Sequence, residues 1–224
     1  MRKVTHSPWG KIDVRKNISD DIIEVSTPSH GGFGVTGKAK QNILNMFPSV
    51  GEHVDVNNEM SWFEEDCDYA FVILANKECF QEKDIQAAES SMKSWYPEAW
   101  REYSGDLPDI KESIMLRKKL FEEQHMNDNV VISALGLTDG MVLCIAKVGG
   151  RNGDGEESAW FVEKEKYDQR GQFDYVISES DIAAPGSADK CWAAFYRSDK
   201  RTMQDIIQIV EADAEAEESV SPSM

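Results

Sequence analysis

A chain of 224 residues that is 41% hydrophobic and 9% aromatic can fill a real core, which excludes a wholly disordered protein. Its 41 acidic against 24 basic residues leave a formal charge of −17, a field that repels nucleic-acid phosphates and anionic membranes and so excludes direct binding to either. No apolar run approaches a membrane span, residues 1–7 carry no hydrophobic signal segment, and Cys67, Cys79, Cys144 and Cys191 show no paired spacing, which together indicate reduced thiols and a cytoplasmic setting.

In chain order, turn signals at Pro8-Trp9-Gly10 and Pro28-Ser29-His30-Gly31-Gly32 separate β-prone runs at 12–14, 22–25 and 33–35, a small antiparallel meander. A short helix follows, with Ile43, Leu44 and Phe47 on its apolar face, and then a polar loop over 48–60. Ser61-Trp62-Phe63-Glu64 reads as a capping box, so a helix is expected to start there, burying Phe63, Cys67, Ala70, Phe71 and Leu74. Glu64, Glu65 and Asp66 then complement its dipole in the first turn. Helices are predicted over 83–95, from Pro97 with Trp100 and Tyr103 turned inward, and from Asp106 and Pro108 to 124 with Ile110, Ile114, Leu120 and Phe121 inward.

After residue 127 the pattern turns to β, with runs at 130–135, 141–148, 159–162 and 173–177 that predict a four-stranded antiparallel meander. Met203, Ile206, Ile207 and Val210 mark a short terminal amphipathic helix, and residues 211–224, with five acids and no base, read as a disordered acidic tail. The fold class is therefore α+β. An N-terminal region, 1–127, combines the small meander with the helical segment, and a β-meander with its terminal helix, 128–210, is expected to pack on it.

Two stretches carry candidate sites. In the first, Ser29, His30, Gly31 and Gly32 offer a nucleophile, a group that titrates near neutrality and two glycines that admit a ligand close to the backbone. A proline-glycine turn between two strands accounts for the same residues, and that reading is preferred. In the second, residues 52–68 hold Glu52, Asp55, Glu59, Glu64, Glu65, Asp66 and Asp68 without a lysine or arginine. Such a run can dock a basic groove or hold a hard cation, and a dipole-matched helix start explains it more simply.

Other motifs are weaker. A soft-metal site would have to gather His30, His53, Cys67 and Cys79, which lack zinc-module spacing, so no metal and no cofactor is expected. The glycine-rich loop at 149–155 lacks the Gly-Lys-Ser/Thr ending of a phosphate cradle. The basic aromatic stretch around Trp192, Phe195 and Tyr196 is interrupted by Asp189 and Asp199 and reads as packing.

The blocks Ser7-Pro8-Trp9-Gly10, Thr27-Pro28-Ser29-His30-Gly31-Gly32-Phe33, Trp62-Phe63-Glu64-Glu65-Asp66-Cys67 and Trp95-Tyr96-Pro97-Glu98-Ala99-Trp100 resemble an uncharacterised domain family of bacteriophages, plasmids and other bacterial mobile elements. The hairpin from Trp160-Phe161-Val162 to Phe173-Asp174-Tyr175-Val176-Ile177 looks like the β segment of some members, extending the likeness to about residue 178. The resemblance implies an accessory protein in the cytoplasm of a bacterial host and supplies no catalytic residues.

The expected function is protein binding rather than catalysis. An accessory or inhibitor protein of a phage or plasmid would use Glu52, Asp55, Glu59, Glu64, Glu65 and Asp68 to dock a basic, nucleic-acid-handling protein of the host or element. Its most concrete form is a blocker of a nucleic-acid-targeting defence complex such as CRISPR or restriction. The alternative is a small hydrolase with His30 as general base and an acid between 64 and 68, Asp66 included, as orienter.

Overall fold

The computed structural model describes residues 4–66 and 68–220, folded as two compact units, 1–117 and 118–224. The protein is α+β, and the boundary between its units falls inside a helix rather than where the sequence turns β-rich.

The first unit opens with a two-stranded hairpin, β1 (His6–Ser7) and β2 (Gly10–Lys11). A four-stranded antiparallel sheet follows, in the order β3 (Val14–Asn17), β4 (Ile22–Ser26), β5 (Gly31–Val35) and β6 (Ser61–Glu64). Between β5 and β6 the chain forms α1 (Gly37–Met46) and a 3-10 turn, Pro48–Glu52. After β6 come α2 (Tyr69–Ala75), α3 (Glu82–Trp95), α4 (Pro97–Ser104) and α5 (Ile114–Gln124). Helix α2 is apolar all round, and its residues from Ala70 to Ala75 are all buried, which makes it the centre of a core with Ile22, Val35, Ile43, Phe47, Phe63 and Met92.

Two expectations are corrected in this unit. The Ser61 segment is a strand: Phe63 pairs with Phe33 and Trp62 with Gly34, and these cross-strand contacts outweigh the local capping signal. Glu64 therefore ends the strand and Glu65 and Asp66 follow it instead of opening a helix, and Cys67 lies outside the described residues. Residues 106–113 are not helical either. Ser113 supplies the cap of α5 by accepting the Leu116 N–H at 3.2 Å, and Ile110 and Leu120 are 40% and 39% exposed rather than inward.

The second unit holds an antiparallel meander of β7 (Asn129–Gly136), β8 (Met141–Val148), β9 (Glu157–Glu163) and β10 (Ile182–Ala183), with α6 (Lys164–Asp168) after β9. Helices α7 (Ala188–Arg197) and α8 (Met203–Val220) cover one sheet face, where Leu143, Ile145 and Phe161 meet Cys191, Phe195 and Ile206. On the other face Val142, Cys144 and Val162 meet Tyr175. The fourth strand is 182–183 and not 173–177, because the latter segment crosses to the far edge of β7, where Val176 bridges Val130. Nor does the terminal helix stop at 210. Ala212, Ala214 and Ala216 are strong helix formers, and pairs of Arg197 with Asp213 and of Lys190 with Glu217 tie residues 211–217 to α7; residues 221–224 of the expected tail lie outside the described part.

Candidate functional site

The turn at 27–30 is held by its own residues. The Thr27 N–H donates to the His30 carbonyl at 2.7 Å, and the Thr27 hydroxyl accepts the His30 N–H at 3.1 Å. Ser29 stands exposed on it, with no hydrogen bond from its hydroxyl among the described residues, so Ser29 and His30 are neighbours on a turn and not a dyad.

Strand β6 brings its end beside this turn. His30 Nδ1 lies 2.8 Å from Glu64 Oε1, and Glu65 Oε2 accepts the Gly31 N–H at 2.5 Å. Next to them Glu24, His30, Gly31 and Glu65 line an open hollow of about 450 Å³. Of the acids between 64 and 68, the one that meets the imidazole is Glu64. Gly32, at φ +154, lies under Trp9: a Cβ there would sit 2.2 Å from the Phe63 carbonyl oxygen. Its role is packing.

The remaining acids divide into two groups. Glu52, Glu59 and Asp66 are exposed and have no ion-pair or hydrogen-bond partner from their side chains among the described residues. Asp55 is exposed too, but it ties its own loop by accepting the Asn57 N–H at 2.9 Å and the Asn58 amide at 2.8 Å. Asp68 is half-buried. Tyr96 Oη donates to it at 2.9 Å, and burial pushes its carboxyl above the ordinary value although that bond and nearby His53 pull it down. Asp68 therefore belongs to the Phe71–Tyr96–His53 aromatic group more than to an open acidic surface. Among the described residues no three His, Cys, Asp or Glu side chains form a metal-binding group.

The second unit carries a polar cluster that sequence reading missed. Asp181, with its side chain 2% exposed, receives Lys166 Nζ at 2.5 Å, Tyr175 Oη at 3.1 Å and the Ser178 N–H at 2.8 Å. Lys166 also donates to Ser178 and Ser180 at 2.7 and 2.6 Å, an arrangement that superficially suits a serine-lysine nucleophile. The Asp181 hydrogen bond raises the lysine's pKa further, however, so it stays charged and cannot take the serine proton. The cluster is a pin for the 175–181 segment. Nothing in the spacing of Lys166, Tyr175 and Asp181 signals it, because the segment's route across β7 sets it up.

No helix among the described residues is long and apolar enough to cross a membrane. No curated protein and no solved structure matches the chain. A family model described as a domain of unknown function, DUF7007, matches residues 2–126, which is more than half of the chain and nearly the whole of the first unit, and it does not reach the hairpin at 160–177. With its Trp9, Gly32 and Trp62 blocks packed together inside the matched region, the chain belongs to the DUF7007 family.

Proposed function

We propose that this chain is a binding protein that docks a basic, nucleic-acid-handling protein of a bacterial host or mobile element through acids of its first unit. In its most concrete form it is a phage or plasmid accessory protein that blocks a nucleic-acid-targeting defence complex. The observation that supports the reading is the state of Glu52, Glu59 and Asp66, exposed carboxylates without partners among the described residues in a chain of net charge −17. Charges left unpaired at a surface steer association with a surface of opposite sign and cost little to desolvate at a wet rim.

The test compares the tagged protein with a Glu52→Lys, Glu59→Lys, Asp66→Lys variant on a bacterial lysate at low and high salt, with mass spectrometry of the retained proteins. One basic assembly should be held by the parent at low salt and lost both at high salt and in the variant. Retention indifferent to salt and to the charge reversal sinks the proposal.

A second reading, a hydrolase centred on His30, draws on the 2.8 Å contact with Glu64 beside an open hollow, since a carboxylate can orient an imidazole base. It requires His30→Ala to abolish turnover in a substrate screen without lowering the melting temperature.

A further inference from the structure

On the core side of β5 the first unit has a second concavity, a cleft of about 450 Å³ between the sheet and helices α2 and α3. Its apolar walls are Phe33, Tyr69, Ile73 and Phe80, with Phe80 set edge-on to Phe33 at 5.7 Å between ring centroids. A space of this size with aromatic walls is typical of small-ligand sites, whereas close-packed interiors leave few voids larger than a water.

The mouth of the cleft carries one more acid than base. Lys16 is already paired with Glu24 at 3.2 Å, and Asp84 accepts the Gln81 N–H at the start of α3 at 3.4 Å. Lys83 is exposed on the rim. Glu65 gives one oxygen to the Gly31 N–H, and among the described residues its other oxygen has no partner; unlike Glu24 it is neutralised by no lysine, and unlike Asp84 it is not engaged at a helix start. Glu65 also lines the hollow beside His30, as do Glu24 and Phe33.

We infer that this cleft binds a small organic cation, its aromatic or branched apolar body lying against Phe33 and Phe80 and its ammonium head on Glu65. The apolar walls reward burial of the body, and the half-used carboxylate offers a charge-assisted hydrogen bond that a neutral head cannot match and an anionic head would oppose. Ring faces nearby add attraction for the cation. The site is independent of the proposed docking surface, because Glu52, Glu59 and Asp66 do not line it.

Phenethylamine, titrated into the full chain by NMR beside 2-phenylethanol and 3-phenylpropionate, separates the head group from the shared body. The amine should bind saturably and on the order of fivefold or more tighter than the alcohol and the acid. Glu65→Gln keeps an acceptor for the Gly31 N–H and should erase that preference while leaving alcohol binding unchanged; Phe80→Ala should weaken all three. In the parent protein, nuclear Overhauser contacts should link the amine's ring to Phe33 and Phe80, a readout that does not depend on any variant folding. Absence of saturable amine binding, equal affinity for the alcohol, a preference that survives Glu65→Gln, or contacts elsewhere on the molecule would each overturn the inference.

Discussion

Trp9 stands edge-on to Trp62, ring centroids 5.9 Å apart at 78°, beside two glycines of the central strand β5. A Cβ on Gly32 would meet the Trp9 ring at 2.5 Å, and one on Gly34 would meet the Trp62 ring and Met60 Sδ at 2.9 Å. Three blocks far apart in the sequence are thus a single packing device, in which rings rest directly on backbone.

Gly32→Ala tests that device. The new methyl would meet the Phe63 carbonyl oxygen at 2.2 Å, and φ of +154 strains any side chain, so a loss of about 3 kcal/mol or more is expected in denaturant unfolding. Gly51→Ala, where the nearest atom is Val56 Cγ2 at 3.6 Å, should stay within about 0.5 kcal/mol.

The contrast between the segments 83–95 and 61–64 shows what could be read from the sequence. Helix α3 was legible because its helical periodicity and the proline behind it are local signals, and α4 opens at Pro97 for the same reason. Ser61 to Glu64 misled because a capping pattern is also local, while the pairing of Phe63 with Phe33 joins residues thirty apart. The site divides in the same way. His30, Glu64 and Glu65 could be suspected as motifs, but Phe33, Tyr69 and Phe80 form one wall only after α2 and α3 pack on the sheet. Residues 211–217 read as tail because acids without bases look solvated, and their partners Lys190 and Arg197 lie on another helix.

Asp181 should make the second unit sensitive to acid. Burial opposes its charge, but bonds from Lys166, Ser178 and Tyr175 outweigh that, and its carboxyl lies below the ordinary 3.8. A depressed carboxyl contributes stability in full above the unfolded value and loses it as pH falls through the folded one. Asp181→Asn should therefore cost about 1.5–2 kcal/mol at neutral pH, by weakening the charged hydrogen bonds that hold the 175–181 segment, and this deficit should shrink in acid. Denaturant midpoints measured across that range check both the loss and its direction.

Among the described residues, Cys79, Cys144 and Cys191 should react in order of exposure. Burial pushes the Cys144 thiol up to about 12 and raises that of Cys191, whereas Cys79 is half-exposed. Iodoacetamide under native conditions, followed by peptide mapping, should label Cys79 well before Cys144 and Cys191, and the latter two should label only in denaturant. Early labelling of Cys144 would mean that the face carrying Val142 and Tyr175 opens readily.

Asp68 should respond to pH in the opposite sense from Asp181. Because burial raises its carboxyl pKa, the folded protein holds that proton more tightly than the unfolded chain, and the stability this brings is lost as pH rises through the raised value. Asp68→Asn keeps an oxygen for the Tyr96 hydroxyl and removes the buried charge. The variant should melt at or above the parent temperature at neutral pH, with the gain fading in acid. A lower melting temperature at neutral pH would show that the charge itself is needed there.

Ser61 offers the sharpest choice between reading a motif and reading a fold. As the cap of a helix, its hydroxyl would satisfy a backbone amide, and Ser61→Ala would cost about 1 kcal/mol. In strand β6 the residue is fully buried, and its hydroxyl oxygen has no hydrogen-bond partner among the described residues. A buried polar atom without a partner keeps its desolvation cost and gains nothing in return. Ser61→Ala removes that atom and leaves the backbone pairing of Ser61 with Val35 untouched. The variant should gain about 0.5–1 kcal/mol in denaturant unfolding, the opposite sign from the capping expectation. A loss of the capping size would place a partner on that hydroxyl.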